Sequence, residues 1–288
     1  MSASQIVVGY DGSRDAREAL RWAFAEAART DADVDIVYVW RWPEYLPASS
    51  LVPGVPVWPD MTAEKELELM LADVADGARA QFPGVTARTV IAHGSPASVL
   101  RDLSSGASLV VVGGRSHGLL QDFWLGSVAG ALAAHASSSV VVVRDGGDRP
   151  ARAPIVLALD ESGHSNRAAE FAFEQAAAQN APLRVVRAWM PPPDPWISSS
   201  FIDREEVSTA ELAAVREQID VWQRKHPSVE LQIEAIVGHP YRVVAEAAEQ
   251  ARMVVLGARG KGGFSALRLG SVSRYVLHHV PVTTAIVR

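Results

Sequence analysis

The feature that most constrains this chain is an internal repeat, in which one pattern of short apolar runs and small residues occurs twice. The run Leu109–Gly113 returns as Met253–Gly257, and the pair Gly126-Ser127 returns as Gly270-Ser271. Both landmarks recur after 144 positions (257 − 113 and 270 − 126). A regular spacing of this kind indicates two copies of one structural unit.

The repeat divides the chain into two domains of ordinary size. We predict a first domain at 1–145 and a second at 154–288. Between them, residues 146–153 combine Gly, Pro and charged residues without a periodic pattern, which is typical of a linker. The two domains are called the first copy and the second copy below.

Each copy alternates short apolar runs with amphipathic helical stretches. The runs carry no polar alternation, which favours strands buried on both faces of a parallel sheet. The first helical stretch has Ser13 as its expected N-cap, and its apolar face comprises Ala16, Ala19, Leu20, Ala23, Phe24 and Ala27. We therefore predict an α/β fold, in which each copy is a five-stranded parallel sheet flanked by helices, Rossmann-like in type.

Composition excludes several classes of protein. The net charge of −6 gives no reason to expect a nucleic acid or an anionic membrane surface as partner. The absence of cysteine excludes disulfides and thiolate chemistry. No apolar run approaches the ~20 residues of a membrane helix, and the amino terminus lacks the pattern of a signal peptide. We expect a cytoplasmic protein.

The loop after the run Met253–Gly257 is the strongest chemical signal, because ligands of open parallel sheets bind beyond the carboxyl ends of the strands. It reads Gly257-Ala258-Arg259-Gly260-Lys261-Gly262-Gly263. We expect these glycines to turn the backbone at positive φ and to let amide groups approach an anion. Arg259 and Lys261 add positive charge.

A second element of the site begins ten residues after Gly260. Gly270-Ser271 opens a helix whose expected apolar positions are Val272, Tyr275, Val276 and His279. The free N–H groups and the dipole of a helix start favour a phosphate. The loop and the helix start together predict a polyphosphate ligand.

Two other nucleotide motifs do not match. A P-loop requires Ser or Thr after Gly-Lys, whereas Gly260-Lys261 is followed by glycine. A dinucleotide fingerprint requires three spaced glycines after the first strand, where this chain has Asp11-Gly12-Ser13 or Asp160-Glu161-Ser162.

These residues resemble the universal stress protein family, in its tandem two-domain form. The resemblance is carried by the motif G-x2-G-x9-G-S, matched by Gly257, Gly260 and Gly270-Ser271, and by Gly-x-Pro at 94–96 and 238–240. It implies ATP as ligand, Mg²⁺ held through the phosphates, and dimer contacts through the last strand. It also places Asp160 at the adenosine end and Ala188 at the base, so that the implied second site comprises Asp160, Ala188, Gly257, Arg259, Gly260, Gly270, Ser271 and Val272.

The first copy departs from the motif at one position. In it Asp11 and Val39 take the places of Asp160 and Ala188, and the remaining site residues are Gly113, Arg115, Ser116, Gly126, Ser127 and Val128. Ser116 stands where the second motif glycine is required. We expect both sites to bind, with the second tighter, because a non-glycine residue at positive φ costs about 1–2 kcal/mol.

The functional hypothesis is an ATP-binding regulatory protein, because no nucleophile accompanies Asp11 or Asp160 and no catalytic set or metal-ligand spacing is apparent. The alternatives are a slow ATPase or a nucleotidyl-transfer or hydrolase relative of the same fold, and an interaction scaffold that binds no nucleotide. Cyclic AMP is an open alternative to ATP. The last strands predict either a homodimer or pairing of the two domains within one chain.

Two long Pro-rich segments, 41–60 and 190–200, follow the second strand of each copy. Long loops in compact domains are often functional, so these segments are candidate lids over the ligand. Covering exposed helix or subunit surface is an equally good interpretation of the same composition.

Overall fold

The structure is a computed structural model that describes residues 4–40, 61–114, 125–144, 150, 152–191, 203–261 and 268–288. Its strands are β1 (Gln5–Gly9), β2 (Asp33–Trp40), β3 (Ala87–His93), β4 (Leu109–Gly113), β5 (Ser139–Val143), β6 (Ile155–Ala158), β7 (Leu183–Trp189), β8 (Leu231–Val237), β9 (Met253–Gly257) and β10 (Thr283–Val287). Its helices are α1 (Arg14–Thr30), α2 (Met61–Gln81), α3 (Pro96–Leu103), α4 (Ser127–His135), α5 (Gly163–Ala178), α6 (Arg204–Lys225), α7 (Pro240–Ala248) and α8 (Ser271–His279).

All of these strands belong to one sheet, in the order β3-β2-β1-β4-β5-β10-β9-β6-β7-β8. The five strands of each copy run parallel to one another, and the strand order within the first copy is repeated within the second. The copies meet where β5 and β10 pair antiparallel, with Val141 opposite Ala285. The predicted α/β fold with five parallel strands in each copy is confirmed.

Helices cover both faces of the sheet, because its strands are apolar on both sides. Val111 packs into the core shared with α1, α2, α5 and α6, whereas Val110 and Val112 point into the core on the side of α3, α4, α7 and α8. The predicted apolar face of α1 is fully buried. The Oγ of Ser13 accepts a hydrogen bond from the N–H of Ala16, so the predicted N-cap is also confirmed.

Two arginines fasten the copies together across the antiparallel pair. Arg144, directly after β5, donates from its guanidinium to the carbonyls of Leu277 and Val280 at the end of α8. Arg288, directly after β10, donates to the carbonyl of Ala133 at the end of α4 (2.6 Å). Each cation therefore occupies the negative end of the other copy's last helix, where the terminal carbonyls lack intrahelical partners.

The backbones of these arginines make a matching pair of hydrogen bonds. The N–H of Arg144 lies 3.3 Å from Thr283 Oγ1, and the N–H of Arg288 lies 3.1 Å from Ser139 Oγ. The β5–β10 pair and the contacts of these two arginines are called the seam below. The two halves of the seam are related by an approximate twofold rotation. The seam is the means by which two domains that resemble each other in sequence become one sheet.

Removal of the Arg144 guanidinium should destabilise the protein. Arg144→Met keeps an aliphatic side chain but leaves two buried carbonyls without a donor, so we expect a loss of about 2–3 kcal/mol in the free energy of unfolding, measured in urea. Arg152→Met, which removes an exposed cation beside Glu230, is the control and should change stability by less than about 0.5 kcal/mol. Equal losses in the two variants would contradict the capping role.

Candidate functional site

Each copy has a cavity at the carboxyl ends of its strands, where the parallel topology predicts ligand binding. The cavity of the second copy has a volume of about 360 Å³, and that of the first about 400 Å³. Both volumes lie in the range of small-molecule sites. The two cavities lie in corresponding places, since the loops after β1 and β4 border one and the loops after β6 and β9 border the other.

The structure brings the predicted site residues together. The second cavity is lined by all eight of those predicted, namely Asp160, Ala188, Gly257, Arg259, Gly260, Gly270, Ser271 and Val272. The first is lined by Asp11, Val39, Gly113, Gly126, Ser127 and Val128. Arg115 and Ser116 lie outside the described residues, as do residues 41–60 and 192–200 of the Pro-rich segments.

Two backbone hydrogen bonds hold the helix start against the loop in the second copy. The N–H of Ala258 donates to the carbonyl of Val287 (2.7 Å), and the carbonyl of Ala258 accepts from the N–H of Gly270 (2.9 Å). In the first copy Gly114 makes the same pair of bonds, to Val143 (2.8 Å) and Gly126 (2.9 Å). The residue after the fourth strand of each copy therefore fixes the distance between the last strand and the start of the last helix.

The first turn of α8 presents unused donors to the cavity. No residue in the described part of the chain accepts a hydrogen bond from the N–H groups of Ser271, Val272 or Ser273, and the N-cap Gly270 has no side chain to do so. All three residues line the cavity. A helix start with free amides next to a cavity is a site for an anion.

The predicted inner face of α8 was wrong by one residue. The buried side chains are Ser273, Val276 and Leu277, whereas Val272 is only half-buried and His279 is exposed. The polar Ser273 is buried because its hydroxyl donates to the carbonyl of Gly257 (2.9 Å), which ties the helix to the end of β9. Apolar periodicity alone could not show that a serine belongs to the inner face.

The expected positive φ was wrong at Gly257 and Gly260, whereas Gly262 and Gly263 lie outside the described residues. Among the described glycines, positive φ occurs at Gly12, Gly94 and Gly238, and not at Gly257 or Gly260. The loop needs glycine for space instead: a Cβ on Gly260 would lie 2.5 Å from Asp160 Oδ2, and one on Gly257 would lie 3.0 Å from His164 Cβ. Strain at positive φ is therefore not a reason to expect weaker binding in the first site.

Asp160 is the centre of a hydrogen-bond network between the two strand-end loops. Its carboxylate accepts from the N–H of Ser162 (2.9 Å) and from the N–H of Lys261 (3.0 Å). The Lys261 ammonium pairs with Glu161, and this hydrogen bond lowers the pKa of the Glu161 carboxyl. Lys261 is therefore already neutralised, whereas Arg259 makes no ion pair with any described residue.

Several lining residues were missed by the sequence analysis. Pro96 and Pro240 occupy the first turn of α3 and α7 and line the two cavities. Leu100 and Val244, four residues further along each helix, line them as well. The spacing of four residues after proline is the same in both copies and could have identified them, since residues four apart share a helix face.

Within 4–40, 61–114, 125–144, 150, 152–191, 203–261 and 268–288, no three His, Asp or Glu side chains are grouped so as to hold a metal ion. The helices in these ranges are also too short or too polar to cross a membrane.

The fold and the cavities define a class of protein: Rossmann-like α/β domains, in tandem, each with a cavity at the carboxyl ends of its strands. Comparison with known proteins makes the assignment specific. The sequence profile of the universal stress protein family matches residues 3–144 and again residues 152–288. The chain belongs to this family, and the resemblance inferred from the motifs is confirmed.

Curated relatives have the same two-domain organisation. A universal stress protein of Mycolicibacterium smegmatis is 33% identical over 299 residues, covering 98% of this chain and 96% of the relative. One of Mycobacterium tuberculosis is 31% identical over 296 residues, covering 99% and 97%. The chain thus matches these tandem proteins over nearly their full length.

Solved structures agree on the fold. A universal stress protein of Archaeoglobus fulgidus superposes with a TM-score of 0.66 at 18% identity, covering 99% of this chain and 96% of that one. A universal stress protein of Pseudomonas aeruginosa gives 0.66 at 19% identity, covering 99% and 93%. At such identities the agreement supports the architecture alone.

Close contact between strand end and helix predicts a steric effect at Gly113. A Cβ there would lie 2.8 Å from the backbone carbon of Asp15 and 2.9 Å from the backbone nitrogen of Ala16. Gly113→Ala should therefore lower the free energy of unfolding by about 1–3 kcal/mol. Gly106→Ala, where a Cβ meets nothing within 4 Å, is the control, and a loss as large in that variant would contradict the explanation.

Proposed function

We propose that this universal stress protein binds ATP with Mg²⁺ in its strand-end cavities and that occupancy regulates its surface or its assembly. The observation that carries the proposal is the first turn of α8, whose N–H groups at Ser271, Val272 and Ser273 have no acceptor in the described structure. Three free amides beside Gly257 and Gly260 match the needs of a phosphate group.

The cationic groups at the cavity complete the phosphate end. Arg259 lines the cavity without a carboxylate partner among the described residues, so its guanidinium is available to a phosphate. Lys261 would have to break its ion pair with Glu161 in order to bind the ligand. Mg²⁺ binds mainly to nucleotide phosphates and water in such sites, so the lack of a grouped set of ligating side chains in the described residues is compatible with it.

The opposite end of the cavity is suited to the adenine base. Val186, Ala188, Pro240 and Val244 give it an apolar wall, against which a flat ring can pack. Asp160 lines the same cavity, accepts a hydrogen bond from the N–H of Lys261 in the loop and supplies carboxylate oxygens as acceptors. The cavity therefore offers separate surfaces to the apolar and the anionic part of one nucleotide.

A regulatory role is supported by the route from the loop to the seam. Ala258 bonds to both the phosphate helix and the last strand, and β10 pairs with β5 of the other copy. A ligand that tightens the loop thereby acts on the same strand that joins the copies. The carboxylate of Asp160 is already engaged by the N–H groups of Ser162 and Lys261.

The pairing of β5 with β10 bears on assembly, since it covers the last strand of both copies within one chain. A homodimer of the complete chain would then use another surface. We propose ATP-dependent assembly through such a surface as one form that the regulation takes, to be read out by light scattering with and without Mg-ATP.

The second site should bind ATP more tightly than the first, and the reason is steric. A Cβ on Gly260 would lie 2.5 Å from Asp160 Oδ2, so the carboxylate would have to move away from the N–H of Lys261 to which it is hydrogen-bonded. The repeat places Ser116 at the corresponding position in the sequence of the first copy, where Asp11 corresponds to Asp160. The extra side chain should displace the aspartate or the ligand and so weaken the first site.

The test is calorimetric titration with Mg-ATP of two alanine variants. Gly260→Ala should weaken the tighter site about tenfold or more and so remove more bound nucleotide per chain than Ser116→Ala. Gly84→Ala, on an exposed turn with no neighbour within 4 Å of a new Cβ, should bind like the parent. Equal losses in the first two variants would refute the ordering of the sites.

The alternatives have distinct outcomes in simple assays. Adenine nucleotide retained by the purified protein in native mass spectrometry excludes a scaffold that binds none. Rapid multiple turnover of ATP would overturn the regulatory proposal in favour of a hydrolase. Displacement of ATP by cyclic AMP at lower concentration than by ADP would identify the cyclic nucleotide as the preferred ligand.

A further inference from the structure

A third cavity lies where the two copies meet. Its volume is about 460 Å³, and it is bordered by serines that precede β4 and β5 in the first copy and by residues that follow β9 and β10 in the second. The two sets of residues meet because β5 and β10 run antiparallel, which brings the amino ends of one sheet half beside the carboxyl ends of the other.

This junction cavity is strongly cationic. Arg167, Arg259, Arg268 and Arg288 line it, together with His164. No carboxylate side chain is among its described lining residues, and none of the four guanidinium groups forms an ion pair within the described part of the chain. Arg288 already donates to the carbonyls of Ala133 and Ser138. The other three arginines repel one another, so an anion would be stabilising there.

The pKa values of Arg288 and His164 are lowered by burial and by the neighbouring cations. Burial first, and the nearby Arg259 second, lower the pKa of Arg288 to about 10. Burial also lowers the pKa of His164, followed by the charges of Arg167, Arg259 and Arg288, with only Asp160 acting in the opposite direction. Both groups therefore experience the positive potential of the cavity.

The other copy shows that the fold does not require this charge. In the repeat, His164 corresponds to Asp15 and Arg167 to Glu18. The correspondence is structural as well, because a Cβ on Gly113 would meet Asp15 as one on Gly257 would meet His164. The same helix face carries two acidic residues in the first copy and basic residues in the second. The cation cluster is thus a property of one junction.

Serine hydroxyls provide hydrogen-bond donors around the cluster. Ser137, Ser138 and Ser139 line the cavity on the side of the first copy. The Oγ of Ser138 is shielded from water and has no partner among the described residues. A buried hydroxyl without a partner is unfavourable unless a ligand or ordered water satisfies it.

We propose that this junction cavity is a separate anion site, which binds the phosphate group of a small molecule other than the nucleotide of the strand-end cavity. Arginines and hydroxyls around a cavity of this size match the chemistry of a phosphate or pyrophosphate group. This proposal does not rest on the proposed binding of ATP in the strand-end cavities. Arg259 borders both cavities, so occupancy of one influences the other through a shared cation.

The probe is inorganic pyrophosphate, titrated into the full chain at constant ionic strength, with and without saturating Mg-ATP. We expect saturable binding in both conditions. Absence of saturable binding in the parent protein overturns the proposal. Binding that disappears completely when ATP is present also overturns it, because the cavity would then hold only the tail of the nucleotide.

Arg167→Glu is the decisive variant, because the first copy already folds with Glu18 at that position. It should weaken pyrophosphate binding at least about tenfold while changing ATP affinity less than about threefold. Arg216→Glu, which makes the same charge change on the exposed face of α6 outside the cavity, should leave both affinities unchanged. Unaltered pyrophosphate binding in Arg167→Glu contradicts the assignment.

A measurement on the parent protein avoids any question of folding in the variants. Pyrophosphate should raise the midpoint at which the His164 imidazole titrates in NMR spectra, because an anion offsets the charges of Arg167, Arg259 and Arg288. Arg268→Ser should reduce both the shift and the affinity. A His164 midpoint that pyrophosphate leaves unchanged overturns the site, whether or not the protein binds ATP.

Discussion

The pair of hydrogen bonds made by Ala258 is the constraint on which the rest of the site depends. One bond fixes Ala258 to the end of β10, and the other fixes Gly270 at the start of α8. Without them the helix start would have no defined distance from the strand-end loop. Gly114 repeats the arrangement in the first copy, so the constraint belongs to the fold unit itself and positions the free amides wherever the unit occurs.

The same strand ends carry the arginines that join the copies. Arg144 and Arg288 each follow a last strand and reach the carboxyl end of the other copy's last helix. The last helix of each copy therefore has its amino end at a candidate ligand site and its carboxyl end at a cation from the other copy. The site and the seam share one helix, which is the physical basis for expecting ligand occupancy to reach the interface between copies.

Much of this architecture could be predicted from the sequence, because its causes are local. Uninterrupted apolar runs indicate buried parallel strands, and small residues at helical spacing indicated the inner face of α1. The repeat indicated where both strand-end cavities lie, and all eight residues predicted for the second site line its cavity. The domain limits 1–145 and 154–288 stay predictions.

The errors arose where a residue's role depends on distant neighbours. Glycine at 257 and 260 was explained by backbone angle, but the requirement is space beside His164 and Asp160. Ser273 faces inward because it bonds to Gly257. Similarly, nothing local to Arg288 shows that it caps α4, since that contact exists only after the strands of the two copies pair.

The central claim is that the first turn of α8 binds the phosphates of ATP, and amide hydrogen exchange followed by NMR tests it most directly. Mg-ATP should slow exchange at Ser271, Val272 and Ser273 by about tenfold or more, because these amides gain acceptors only from the ligand. Saturation with Mg-ATP that leaves exchange at these three amides unchanged would show that the nucleotide, if bound, is held elsewhere.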